Sequence, residues 1–109
     1  MSINAIFANL ACTDFDRSTD WYADLFDRAP DARPMEGLAE WHHGASAGFQ
    51  LHRDPTRAGL GAVTLIVSAI ATERERIVSL APGEIEHADN FLILRMRDPD
   101  GNLVVMAGD

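Results

Sequence analysis

The chain has 109 residues, enough for one small domain or for two very small modules that share a core. Apolar residues make up 47% and charged residues 24%, a globular mixture that excludes a disordered or collagen-like chain. Seventeen acids against nine bases leave a net charge of −8, which argues against nucleic acid or an anionic membrane as partner.

All nine bases are arginine, so chemistry that needs a lysine (Schiff bases, pyridoxal phosphate, a P-loop) is excluded. No apolar run reaches the roughly 18 residues of a membrane span. Met1 to Asn4 form neither a basic nor an apolar leader, so no secretory signal is expected. Cys12 is the single cysteine and has no internal partner; a reducing cytoplasm is the expected compartment.

Ile3 to Cys12 is apolar with partial alternation and predicts a largely buried strand. Thr13 and Asp14 are N-cap residues for a helix whose Ser18, Trp21, Tyr22 and Leu25 share one face. Pro30 and Pro34 bracket its exit. Leu38 to His43 and Gly48 to Arg53 predict a hairpin closed by Gly44-Ala45-Ser46-Ala47. That loop sets Trp41 opposite Gln50, with Trp41, His43, Gln50 and His52 on one face and Glu40, His42, Phe49 and Leu51 on the other. Asp54 to Gly61 is a linker.

Ala62 to Val67 predicts a strand, and Ser68 or the Thr72-x-x-Glu75 pair a cap for the helix that follows. Ile70, Ile77, Val78 and Ala81 form its apolar stripe, and Pro82-Gly83 ends it. Ala81 to Asn90 has no clean period. Phe91 to Arg97 is a strand, Asp98-Pro99-Asp100-Gly101-Asn102 a turn, and Leu103 to Met106 the return strand. The order strand, helix, strands occurs twice, and the halves superpose at an offset of 55 residues (Leu10 onto Leu65, Thr13 onto Ser68, Phe15 onto Ile70). Each half is too small to close its own core.

Three segments carry a family resemblance: Asp14-Phe15-Asp16-Arg17-Ser18-x-x-Trp21-Tyr22-x-x-Leu25-Phe26, Gly61 to Ile70, and Asp98-Pro99-Asp100-Gly101-Asn102. In that order they resemble the vicinal oxygen chelate superfamily, which includes glyoxalase I, extradiol dioxygenases, fosfomycin resistance proteins and bleomycin-binding proteins. The resemblance spans nearly the whole chain. It implies an α+β fold of paired βαβββ modules, a single domain over residues 1–109 with module one at about 1–57 and module two at about 58–109. The strands would curl into a concave mixed sheet around a cavity, and the modules would pair within the chain or between chains.

Metal-dependent members of that superfamily place four ligands in the cavity. Carried onto this chain, those positions are Phe7, Gln50, Ala62 and Val105. Phe7, Ala62 and Val105 offer no lone pair, and Gln50 alone cannot hold a divalent ion. No metal and no cofactor is therefore expected. A displaced site from His43, His52 and a carboxylate is the alternative, though no compact metal motif is present.

Cys12 reads as a small core residue or as the only available thiol nucleophile. Glu40 or Asp54 could act as a general base if buried. Glu73, Glu75, Glu84 and Glu86 read as solvated surface. The cavity face implied by the resemblance carries Phe7, Asn9, Trp41, Gln50, His52, Ala62, Thr64 and Val105. An apolar bowl with a few amides suits a small organic ligand, aromatic or cationic. The expected function is a metal-free small-molecule binding protein of the bleomycin-resistance type, working as a homodimer. The alternative is a glyoxalase- or dioxygenase-like lyase or isomerase with a rebuilt metal site or acid–base catalysis.

Overall fold

The computed structural model describes residues 1–109. The elements run β1 (Ile6–Cys12), α1 (Phe15–Phe26), β2 (Ala32–Met35), β3 (Leu38–His42), β4 (Ala47–Arg53), β5 (Ala62–Val67), α2 (Ile70–Arg76), a 3-10 turn at Val78–Leu80, β6 (Glu86–His87), β7 (Leu92–Arg97) and β8 (Leu103–Gly108). They form two four-stranded sheets, ordered β1-β4-β3-β2 and β5-β8-β7-β6. β1 runs parallel to β4 and β5 parallel to β8, while the remaining pairs are antiparallel. The fold is thus α+β with mixed sheets, each covered by its helix on one face.

The first strand is shorter than the apolar run: Ile3 is 67% exposed and pairing begins at Ile6. α1 starts where expected. Asp14 accepts a hydrogen bond from the Arg17 backbone N–H at 3.1 Å, filling one of the free donors of the first turn. The helix ends at Asp27, which is left-handed (φ 57°) and donates its N–H to the carbonyls of Ala23 and Asp24. Ser18, Tyr22 and Leu25 are buried as expected and Thr19 joins them, while Trp21, expected on the same face, is only partly buried at the edge of the core. β6 occupies the segment that showed no period.

Two expectations for the second helix are corrected. Neither Ser68 nor Thr72 caps α2, because Ala69 holds the cap position in a left-handed conformation without a side-chain bond. Asp109 instead accepts from the backbone N–H groups of Ala69 and Ile70, through Oδ1 at 3.0 Å and its carbonyl at 3.2 Å. Ile70 and Ile77 are buried, but Val78 and Ala81 are exposed and Leu80 takes their place. The tighter 3-10 turn after Ile77 shifts the phase of the apolar stripe.

The first hairpin is also corrected. His43 donates its backbone N–H to Ala47 at 2.9 Å, so the loop is Gly44-Ala45-Ser46, one residue shorter than expected. Trp41 then pairs with Phe49, and Glu40 with Gln50. A one-residue slip moves every side chain of one strand to the other face. Trp41 therefore belongs to the helix-covered face with Ala39, Phe49 and Leu51, all buried. Its indole N–H donates to the Arg28 carbonyl at 2.9 Å.

Tyr22, Trp41 and Phe49 form an aromatic cluster closed by Phe26, with Tyr22 and Phe49 centroids 4.7 Å apart. Offset and tilted packing of this kind adds about 0.5–1.5 kcal/mol per pair beyond the area buried. The cluster continues without a break into Ile70, Ile77, Leu94, Met96, Val104 and Met106 of the second half. The two halves thus pack against one another within this chain.

Polar contacts tie the same junction. The fully buried Asn102 donates to the Ala11 carbonyl at 2.9 Å and accepts from the Gly61 N–H at 3.0 Å, fastening β1 to the entry of β5. Arg76 on α2 donates to the Asp24 and Leu25 carbonyls at the end of α1. Its positive charge suits the negative end of that helix.

Candidate functional site

The sheet faces away from the helices are open, and the strand register decides which side chains meet there. In the first sheet Asn9, Gln50 and Glu40 stand in one row across β1, β4 and β3. Asn9 Nδ2 donates to Gln50 Oε1 at 3.1 Å, and Gln50 Nε2 donates to Glu40 Oε2 at 2.7 Å. Glu40 Oε1 lies 3.0 Å from His42 Nε2. These bonds, His42 first and then Gln50, hold the Glu40 carboxyl below its ordinary range. Glu40 is thus an anion at neutral pH, and its side chain is 14% exposed.

The neighbouring row is Phe7, Gly48 and His42. Because Gly48 has no side chain, the Phe7 ring lies over it and meets the His42 ring edge-on at 5.6 Å. A Cβ at position 48 would sit 2.5 Å from Phe7 Cε2. The third row brings Ala11, His52 and Leu38 together. His52 Nε2 is 3.7 Å from Asp54 Oδ2, and its buried Nδ1 has no hydrogen-bond partner. His42 is anchored from behind: its backbone N–H donates to Asp31 at 2.6 Å, which depresses the Asp31 carboxyl together with Arg28.

The second sheet repeats the rows with different chemistry. Thr64, Val105 and Arg95 occupy the places of Asn9, Gln50 and Glu40, and Ala62, Leu103 and Arg97 form the next row. Arg95 donates from Nε to Glu86 at 2.9 Å, and Arg97 to the Gly101 carbonyl at 3.1 Å. This face is apolar apart from Thr64, the two arginines and Glu86.

The structure therefore sets Phe7, Asn9, Gln50 and His52 on the open face of the first sheet, and Ala62, Thr64 and Val105 on that of the second. Trp41 does not join them. Glu40 and His42 take its place, two residues the longer loop had put on the far side. No local signal marks them, because the length of the loop after His43 sets the register and the sequence there fits three residues or four.

The four positions at which metal-dependent relatives of such a fold would carry ligands do not fit a metal here. Phe7, Ala62 and Val105 have no donor, and both amide atoms of Gln50 are engaged. The displaced set fails as well. His43 lies on the helix side against Phe26, with centroids 5.0 Å apart, while His52 is on the open face. No three His, Cys, Asp or Glu side chains converge as metal ligands anywhere in the chain.

No protein-family model and no curated protein matches the sequence. Solved structures do match. A glyoxalase/bleomycin resistance protein from Catenulispora acidiphila superposes with a TM-score of 0.88 at 24% identity, covering 97% of this chain and 98% of that one. TnmS3, an antibiotic-binding protein from Streptomyces sp. CB03234, gives 0.83 at 18% identity over 99% and 98%. A lactoylglutathione lyase from Agrobacterium tumefaciens gives 0.69 at 18% identity over 94% and 91%. At these identities the shared property is the fold.

Proposed function

We propose, from the vicinal oxygen chelate fold that the chain carries, that this protein is a metal-free binder of a small organic ligand and acts as a homodimer. The observation that carries this reading is the Asn9–Gln50–Glu40 row with Phe7 beside it. It supplies an aromatic face, two amides and a fixed carboxylate, which together suit a planar ligand bearing a positive charge. The TnmS3 neighbour is an antibiotic-binding protein, and this chain's open face is read by analogy with it.

The homodimer reading is supported by exposed apolar surface on the second sheet, where Arg95 is already paired with Glu86. A second copy that sets its apolar second sheet over the first would enclose the Glu40 row and cover Ile66, which is 80% exposed.

Bleomycin, named with the Catenulispora acidiphila neighbour, and acridine orange, a planar aromatic cation, are suitable probes. Saturable binding of either, weakened about tenfold by Glu40→Gln and by Phe7→Ala, supports the reading. No saturable binding, or binding indifferent to both substitutions, contradicts it.

The Glu40–His42 couple favours a second reading, an acid–base lyase or isomerase. Turnover of a carbonyl substrate that falls about 100-fold in both Glu40→Gln and His42→Ala is its test.

A further inference from the structure

On the helix side of the sheets, a cleft of about 610 Å³ opens between the C-terminal end of α1 and β5. Leu25, Phe26, Phe49, Val63, Leu65 and Met106 line its apolar part. None of Phe7, Asn9, Glu40, Gln50 or His52 reaches it. The size falls in the range of small-molecule pockets, roughly 300–1,000 Å³.

Its charged groups are unequal. Arg76 is spent: it donates to the Asp24 and Leu25 carbonyls, and it pairs with Glu73 at 2.7 Å. Glu73 is thereby matched. Asp27 is not, since its carboxylate has neither an ion-pair partner nor a side-chain hydrogen bond. His43, also in the lining, sits against Phe26 with no hydrogen bond to its ring. Burial holds it toward the neutral form, and the Arg28 guanidinium acts in the same direction. The cleft therefore presents an apolar body with one uncompensated negative charge at its rim, in a chain of net charge −8.

We infer that this cleft is a second ligand site, distinct from the open sheet face, that takes an amphiphilic amine: an aromatic or aliphatic body seated on the partly exposed Phe26, Val63 and Leu65, with its ammonium group at Asp27. Charge complementarity selects the occupant. An anionic amphiphile would meet Asp27 unscreened by any free base, and a neutral one would leave the carboxylate without a partner. Gly48, Thr64 and Ile66 line the cleft and also belong to the open faces, but the groups that would hold the two ligands are different: Phe26, Val63, Leu65 and Asp27 here, Phe7, Asn9, Gln50 and Glu40 there.

The test uses the full-length chain and three dansyl probes with one fluorophore and three charges: dansylcadaverine (cation), dansylamide (neutral) and dansylglycine (anion). The expected order of affinity is cation, neutral, anion, with about tenfold between the first two. Asp27→Asn keeps a residue that tolerates the left-handed backbone and should remove that preference without changing the melting temperature. Ala47→Trp fills the cleft from an exposed lining position and should abolish binding of all three probes. All three probes and both variants are measured in a Glu40→Gln background, which weakens the open face so that the cleft is read alone.

Equal affinity for the three probes overturns the inference. So does dansylcadaverine binding that survives Ala47→Trp in the Glu40→Gln background, or that is absent from that background altogether, which would place the probe on the open face. A wild-type protein that binds no probe, and whose dimer dissociates on Ala47→Trp, would make the cleft an interface between copies and overturn it as well.

Discussion

The Tyr22 hydroxyl donates to the Asp98 carboxylate across 2.7 Å, joining the helix of the first module to the hairpin turn of the second. Both groups are buried. Asp98 Oδ2 also accepts from Asn102 Nδ2 at 2.8 Å, while Oδ1 accepts the backbone N–H groups of Asp100 and Asn102. The carboxylate is thereby satisfied from three sides, which is the condition for burying it. Tyr22→Phe removes one charge-assisted bond and nothing else. It should cost about 1.5–3 kcal/mol in urea denaturation, with the m-value unchanged. A cost below about 0.5 kcal/mol would show that this bond does not hold the modules together.

Alkaline pH should destabilise the protein through the same junction. Burial, followed by the negative charge of Asp100, pushes the Cys12 thiol up to about 11 from an ordinary 9.0. Burial and Asp98 raise Tyr22 further still. Each group stays protonated in the folded chain while the unfolded chain loses its proton. Their stabilisation is therefore complete below pH 9 and is lost as pH rises toward 11 and beyond. Cys12→Ala should flatten the onset of that limb in a pH series of thermal melts.

Acid acts with the opposite sign. His43 titrates below its ordinary 6.5, and Glu40 below its ordinary 4.5. In both cases the unfolded chain binds protons first, so stability falls as pH drops, beginning near 6.5 and steepening below 4.5. His43→Gln should remove the first part of that decline and leave the second.

Gly48 keeps Phe7 flat over the sheet. Gly48→Ala should cost about 1–3 kcal/mol, because the new methyl group meets the Phe7 ring and, at 3.0 Å, the Trp41 carbonyl. In a Phe7→Ala background the same substitution should cost less, and the difference measures the contact. Equal costs in both backgrounds would place the strain at the Trp41 carbonyl alone.

Much of this architecture was legible in the sequence because local signals agreed with one another. Asp14 capped a helix whose Ser18, Tyr22 and Leu25 shared a face, and Asp98 to Asn102 formed the turn its composition demanded. The failures arose where a long-range choice decided a local one. The loop after His43 could hold three residues or four, and only tertiary packing of Trp41 against Phe49 and Tyr22 selects three. That choice turned Trp41 inward and Glu40 and His42 outward, exchanging one aromatic for an acid–imidazole pair on the candidate site. The α2 cap failed for a similar reason, since its partner, Asp109, lies at the far end of the sequence.

The central claim is that this open face binds its ligand without a metal. Metal content of the purified, untagged protein, followed by thermal melts with Zn²⁺, Mn²⁺, Ni²⁺, Fe²⁺ and Mg²⁺, tests it most directly. A bound metal at 100 times its dissociation constant adds about 2.7 kcal/mol, which a melt resolves. The account predicts no stoichiometric metal and no shift with any of the five ions. A one-to-one metal whose stabilisation disappears in Glu40→Gln or His42→Ala would contradict it.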